Sequence, residues 1–256
     1  LLLGHLDTVP GGPDVRLEDG ELWGRGSVDA KGPLCTALWV LKECPDLWKD
    51  VMFIAVPDEE GDSETAYRLR DELEEMPVVI LEPSGSSGIT ISYNGRMLVS
   101  ISVRSKRSHS GHDIPFATEK ALSVFKDLQN EHGARLLEIE GSIEEAEMKL
   151  DIRFEMDHRI ELPESSEDID VEVLESVEPY RSDKKSKLVR SFMRGIRSAG
   201  SKPVFKRKTG TSDMNVIGEK WRSPMIAYGP GDGRMDHTDE ERISFEEYLQ
   251  GIEVLK

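Results

Sequence analysis

Apolar residues follow two rhythms along this chain, and the change between them divides it. In the first stretch they come in unbroken blocks. LLL at 1–3, VMFIAV at 51–56 and VVIL at 78–81 show no alternation, the pattern of parallel strands covered on both faces. Between the blocks Leu34, Leu38 and Leu41 recur at helical spacing behind Pro33, and Ala66, Leu69 and Leu73 do so behind Ser63, a natural N-cap. The order strand, helix, strand, helix, strand predicts an α/β sheet with VMFIAV as a central strand.

From Tyr93 the period becomes two. VSISVRS (99–105) alternates, and EMKLDIRFEMD (147–157) places Met148, Leu150, Ile152, Phe154 and Met156 on one face with charges on the other. A helix over about 117–131, with Ala121, Leu122, Phe125 and Leu128 inward, separates them, and IDVEVLESVE (169–178) supplies a further strand. This β-α-β-β-(α)-β order is ferredoxin-like and predicts an inserted α+β domain over 95–181, leaving 1–94 and 182–256 as one discontinuous domain. The buried style then returns: a helix at 187–200 with Val189, Phe192 and Ile196 inward, the strand PVFKRK, the loop KTGTSDMN, the strand SPMIAYGPG, and SFEE (244–247) as a capping box for a last helix. No internal repeat or low-complexity segment interrupts this order.

With 256 residues, 37% of them hydrophobic, the chain can bury a full core. No run of about 18 apolar residues is present to span a bilayer, and a soluble, cytoplasmic protein is expected. The chain opens without Met and inside an apolar strand pattern, so further residues of the same domain are expected upstream. Cys35 and Cys44 carry no metal-site spacing and read as free, buried thiols.

A net charge of −17 argues against nucleic-acid or membrane partners. The charge is segregated, however. Arg181 to Lys208 holds eleven Lys and Arg against the single acid Asp183, so this stretch carries +10 and the remainder −27. It suits either the solvated face of a helix over 185–199 or a docking surface for an acidic partner.

Open α/β sheets gather ligands beyond the carboxyl ends of their strands. His5 and Asp7 follow the first strand, Glu59 and Glu60 the second and Glu82 the third, while Asp29 and His237 stand in glycine-rich loops. Five carboxylates in one pocket cannot all ionise without counter-charge. Two divalent cations supply it, and mixed imidazole and carboxylate donors fit a two-zinc hydrolytic site, with cobalt or manganese as replacements. Glu59 and Glu60 would point apart within a strand, so both belong to a turn between Pro57 and Gly61. His132 and His158, at element ends, read as surface or capping residues.

GHLDTVPG (4–11), GRGSVDAKGP (24–33), PDEEG (57–61), LEPSG (81–85) and GPGDGRMDHTDEE (229–241) resemble the five signature blocks of the acetylornithine deacetylase and succinyl-diaminopimelate desuccinylase superfamily of two-zinc amidohydrolases. They occur in the family's order over nearly the whole chain. Within it, GRGSVDAKGP, ITISYNGR, KTGTSDMN and AYGPGDGRMDHT most resemble LysK-type hydrolases, which release lysine or ornithine from the terminal glutamate of an amino-group carrier protein.

The resemblance implies His5 and Glu82 as ligands of the first zinc, Glu60 and His237 as ligands of the second, and Asp29 as the bridge. It makes Asp7 the residue that orients His5, and Glu59 the general base. His109, in RSHSGHD, would stabilise the oxyanion from a neighbouring subunit, with His112 the competing candidate. Gly210, Thr211 and Ser212 would hold a substrate carboxylate, and Asp213 and Glu240 would brace loops. Residues 1–94 and 182–256 become a zinc-peptidase, phosphorylase/hydrolase-like catalytic domain, and 95–181 a lid and dimerisation domain. An acidic carrier protein is the implied substrate and a homodimer the implied assembly. A deacetylase, desuccinylase or dipeptidase would share the chemistry. A non-catalytic binding relative would keep only the fold.

Overall fold

A computed structural model describes residues 1–109, 111 and 113–256, and they divide into two compact units. The first comprises Leu1–Tyr93, Tyr180–Lys208 and Ser212–Lys256, and the second Asn94–Pro179 with Thr209–Thr211.

Strands β1 (Leu2–His5), β2 (Arg16–Glu18), β3 (Glu21–Trp23), β4 (Phe53–Val56), β5 (Val78–Ile80) and β6 (Gly88–Tyr93) open the first unit. The second holds β7 (Gly95–Arg104), β8 (Arg135–Gly141), β9 (Glu145–Phe154) and β10 (Ile169–Val177). The first resumes with β11 (Tyr180–Arg181), β12 (Val204–Lys208), β13 (Met225–Ala227) and β14 (Arg242–Ser244). Helices α1 (Lys31–Glu43), α2 (Glu64–Glu72), α4 (Lys187–Ser198), α5 (Asp213–Gly218) and α6 (Phe245–Leu255) belong to the first unit, and α3 (Ala117–His132) to the second.

In the first unit the main sheet runs β11-β6-β13-β5-β1-β4, with β12 paired to β6. β13, β5, β1 and β4 are mutually parallel. The unbroken apolar blocks follow from burial on both faces. Val79, Leu81 and Ile226 pack with Leu34 and Ala37 of α1 and Val189 and Ile196 of α4. Val78, Ile80 and Met225 pack the other way, on Met214 and Ile217 of α5 and Leu69 of α2. Both layers press on β1, where Gly4 leaves room that no side chain could occupy. A Cβ there would lie 2.8 Å from Leu34 Cδ1 and 3.0 Å from Leu81 Cβ. Gly4→Ala is therefore expected to destabilise the fold by about 1–3 kcal/mol, seen as a lower urea midpoint. An unchanged midpoint would mean that Leu34 yields freely.

Several local expectations change. Among the described residues β4 ends the sheet, so VMFIAV is an edge strand, half-buried at Phe53, Ile54 and Ala55. Leu38 points to solvent, and the buried stripe of α1 is Leu34, Ala37 and Val40. Ser63 occupies the cap of α2 in a left-handed conformation and caps nothing. Asp58 takes that task, accepting from both the backbone N–H and the hydroxyl of Thr65 at 2.9 Å. Ser244 caps α6 through the Glu247 N–H, but Glu247 turns its own carboxylate to the Ser86 N–H, leaving the capping box half closed. A small antiparallel sheet, β14-β3-β2, lies outside every predicted element. The cysteines are free, with Cys35 exposed and Cys44 half-buried rather than buried.

The second unit is a sheet of order β10-β7-β9-β8 with every neighbouring pair antiparallel. Met148, Leu150, Ile152 and Phe154 alternate inward from β9 and meet Ala121 and Leu128 of α3, while Leu122 and Met156 stand exposed. His132 and His158 pair with each other, ring nitrogens 3.0 Å apart. No helix among the described residues is long and apolar enough to cross a membrane.

Candidate metal centre

β5, β1 and β4 are neighbours, so their carboxyl ends form one rim. His5 closes β1 and is 1% exposed. Its Nδ1 lies 3.1 Å from the Asp7 carbonyl oxygen, and a carbonyl only accepts, so Nδ1 carries the proton of the neutral ring. Nε2 faces Asp29 Oδ1 at 3.2 Å and Glu82 Oε1 at 3.3 Å, holding a proton between them in the ion-free protein and a lone pair for a cation once that proton leaves. Asp7 does a second service, its carboxylate accepting the backbone N–H groups of Glu59 (3.4 Å) and Glu60 (2.9 Å) and so fixing the turn beyond β4.

Asp29 sits in the loop between β3 and α1. While its Oδ1 faces His5, its Oδ2 lies 3.0 Å from His237 Nε2. That nitrogen is also 2.9 Å from Glu60 Oε1. His237 adopts φ +61, in the left-handed region that histidine enters more readily than most side chains. Glu59 goes the other way from Glu60. Its donor atom gathers with those of His5 and Glu82 within 4.8 Å of one another, as do those of His5, Asp29 and Glu60.

The electrostatics expose the need for positive charge. Burial, with the charges of Glu82 and Asp213, raises the Glu59 carboxyl well above the ordinary range, and burial and Asp29 raise Glu60. Asp29 is driven the opposite way: burial opposes its charge, but hydrogen bonds from His237 and His5 hold it well below the usual value. Burial likewise opposes the charge on His5, and Asp29, Glu82 and Glu59 outweigh it, pushing the imidazole up to about 12. The hydrogen bond to Asp29 leads in raising His237 to about 9. Protons on two imidazoles thus balance the carboxylates, and divalent cations at the same two Nε2 atoms would do so more fully. Two imidazoles with oxygen donors on each side form a set that fits zinc-like ions.

Protein stripped with a chelator should therefore lose stability as pH rises. Both histidines are raised above an unfolded value near 6.5, so their contribution is complete below that pH and is lost through about 9 for His237 and later for His5. Glu59, raised as well, works in the same direction from its own ordinary value upward. The melting temperature in chelator should fall by several degrees between pH 6.5 and 9.5, and a flat or rising profile would contradict this balance.

The remaining predicted residues lie elsewhere. His109, exposed in the loop between β7 and α3, belongs to the second unit and accepts the Gly111 N–H on Nδ1 at 3.1 Å. His112 lies outside the described residues. Gly210 and Thr211 go with the second unit, where the Thr211 hydroxyl accepts from Arg153 at 3.2 Å. Ser212 is in the first unit and caps α5.

Sequence reasoning missed Lys208 and Asp236 at the rim and gave Asp213 only a bracing role. Lys208 Nζ lies 3.4 Å from Glu82 Oε2 and 3.5 Å from Asp236 Oδ2. In the sequence it closes the basic stretch that begins at Arg181. Burial pushes the Asp236 carboxyl up to about 8 and that of Asp213 up to about 7. Glu240 is exposed and faces Arg242, while its neighbour Glu241 is fully buried. The block KTGTSDMN contains both Lys208 and Asp213, and its likeness to the family's loop was the one available signal.

A mostly parallel sheet with two imidazoles sharing one carboxylate at its carboxyl rim is suited to metal-dependent hydrolysis, and the family to which the chain belongs makes it a metal-dependent amide hydrolase. The chain belongs to peptidase family M20/M25/M40, whose profile matches residues 1–256. It is 40% identical over 259 residues to a Thermococcus kodakarensis protein provisionally named a LysW-lysine/LysW-ornithine hydrolase, covering 100% of this chain and 74% of that one. A LysW-lysine hydrolase of Deinococcus radiodurans is 32% identical over 288 residues, covering 99% of this chain and 79% of that one. A LysW-lysine/LysW-ornithine hydrolase of Sulfurisphaera tokodaii is 31% identical over 280, covering 100% and 81%. Among solved structures, a tripeptidase of Staphylococcus aureus superposes with TM-score 0.76 at 16% identity, over 99% of this chain and 78% of that one. Aminopeptidase PepT of Bacillus cereus gives 0.72 at 18% over the same shares. At such identities the structures speak for the fold alone.

Proposed function

We propose that this chain is a two-zinc amidohydrolase that releases lysine, ornithine or both from an amino-group carrier protein, in lysine or arginine biosynthesis. The observation that carries the two-ion reading is the Asp29 carboxylate, whose two oxygens face two different imidazole nitrogens at 3.2 and 3.0 Å. His5 and Glu82 would hold one ion, His237 and Glu60 the other, and Asp29 both. The substrate reading rests on the names of the LysW-linked relatives and is supported by charge. Lys187, Arg190, Arg194 and Arg197 line one exposed groove on α4, a face suited to an acidic carrier.

When bound, the ions supply Lewis acidity, which lowers the pKa of water and polarises the amide carbonyl. Glu59 is the base: its carboxylate takes the proton of the attacking water and returns it to the leaving amine nitrogen. Asp7 keeps the His5 ring in the orientation that presents Nε2 through its carbonyl oxygen, and its carboxylate holds the turn that separates Glu59 from Glu60. His109 would donate to the oxyanion, and Gly210, Thr211 and Ser212 would hold the substrate carboxylate.

The second unit is the lid and dimerisation domain in this reading. Its edge strand β8 is exposed almost throughout, with Leu137 and Ile139 uncovered, and suits pairing with a second copy that would deliver His109 in trans. Light scattering that gives a monomer would remove this part. The decisive assay compares turnover of a carrier-lysine conjugate with that of N-acetylornithine by the metal-loaded enzyme. Turnover of the conjugate, with a KM that climbs with salt, is expected. Turnover of only the small substrate would make the protein a deacetylase.

A further inference from the structure

A carboxylate outside the ion-binding set lies between the two loops that bring Asp29 and His237 together. Glu241 is fully buried. Its Oε1 accepts the backbone N–H groups of Gly26 (2.9 Å), Val28 (3.0 Å) and Asp29 (3.1 Å), and its Oε2 accepts from Arg25 Nη1 at 2.6 Å. The Glu241 carbonyl oxygen accepts the Gly24 N–H at 3.2 Å. One residue thus grips the whole approach to Asp29, ending on the amide of Asp29 itself.

The small sheet explains why a grip is needed. Arg242, the first residue of β14, is in register with Trp23, the last of β3. At that pair the two chains leave the sheet as loops, one leading forward to Asp29 and the other back to His237. Beyond it one backbone bond joins the two loops, the Gly24 N–H to the Glu241 carbonyl, and the Glu241 carboxylate carries the connection on towards Asp29. Glu241 stands at the fork, its backbone in the His237 loop and its carboxylate in the Asp29 loop. Converging N–H groups form a nest that favours an anion, and the Arg25 guanidinium takes the other oxygen. An amide cannot replace this, because its NH2 would face either the N–H groups or the guanidinium, donor against donor.

We propose that Glu241 is a positioning residue of the metal centre, fixing Asp29 against His237 so that the second carboxylate oxygen meets the second imidazole. The inference rests on the two-ion reading given above. It also predicts an asymmetry. His5 and Glu82 are set by β1 and β5, adjacent strands of the main sheet, and keep their spacing without Glu241. His237 is carried only by the loop that Glu241 ends, so the site it shares with Glu60 and Asp29 depends on the grip.

Glu241→Gln keeps the volume, and Glu241→Asp keeps the charge with a reach shorter by one methylene. Metal-free wild type and both variants are titrated with Zn2+ by calorimetry and with Co2+ by absorption spectroscopy. For E241Q one binding step should stay near its wild-type affinity and the other weaken about 10–100-fold, the range seen when the partners of metal ligands are removed. The cobalt spectrum of the weakened step should change, kcat should fall with little change in KM, and E241D should lie between E241Q and wild type. Two wild-type affinities in E241Q would overturn the proposal. So would an equal loss at both sites that tracks a lower melting temperature of the chelated protein, which would make Glu241 a general stabiliser. If E241Q does not fold, E241D is held to the same criteria. A wild type that takes up one ion overturns the two-ion reading and this inference with it, whereas two ions in an indifferent variant overturn only the role of Glu241.

Discussion

In the two-ion site proposed above, Glu59→Gln is expected to keep both ions and to lower kcat by about 10²–10⁴-fold, the usual worth of a positioned general base. Glutamine has the same shape, so the crowd of His5, Glu59 and Glu82 keeps its packing, and none of the Asp29 contacts passes through Glu59. What disappears is a carboxyl that can hold a proton. In the metal-free protein that proton is held tightly, through burial and the charges of Glu82 and Asp213. Cations at the two imidazoles would offset that field and bring the carboxyl towards the range in which it can accept a proton and return it. Parallel measurements of kcat and of metal content by elemental analysis decide the matter. A variant that keeps its ions and turns over within tenfold of wild type would move the proton transfer to another group. One that loses an ion would make Glu59 a ligand.

The neighbouring carboxylate shows how far local sequence could be read. Glu59 and Glu60 are adjacent, yet one gathers with His5 and Glu82 and the other meets His237. Apolar blocks ending at His5, Val56 and Leu81 were enough to place these groups on one rim, because a strand buried on both faces declares itself in composition. The order of strands was harder to read. VMFIAV is as apolar as a central strand and lies at the edge of the described sheet, and composition cannot tell which neighbour a strand will find.

Contacts between distant segments were the least legible. Asp58 displaces Ser63 as the cap of α2 because the turn after β4 folds back on the helix start, a geometry that no capping pattern encodes. Glu241 bonds to Gly26 across 215 residues, and from the sequence its neighbour Glu240 was the one taken for a brace. β2, β3 and β14 are each three residues long, too short to show a period, although their sheet sets the fork from which Asp29 and His237 depart. Lys208 was read with the basic surface because charge counted along a chain does not distinguish an ammonium facing water from one facing Glu82.

The largest loss of metal should follow Asp29→Asn. The carboxylate offers one acceptor oxygen to each imidazole site, whereas an asparagine offers one oxygen and one NH2 group. Whichever way the amide turns, one site keeps its oxygen and the other meets a donor that binds no cation. The variant should therefore hold at most one ion after dialysis, and kcat should fall by at least about 10²–10³-fold, the scale of losing one preorganised group that stabilises transition-state charge. The direction of the turn is also set by the structure. On the Asp29 side facing His5, both His5 and Glu82 are buried, while His237 is half exposed on a loop. The oxygen should stay with His5 and the His237 site should empty first. Elemental analysis gives the count, and Co2+ absorption identifies which site survives. Two tightly held ions in Asp29→Asn would show that Asp29 does not bridge them, and the reading of the rim as a shared two-ion centre would fall.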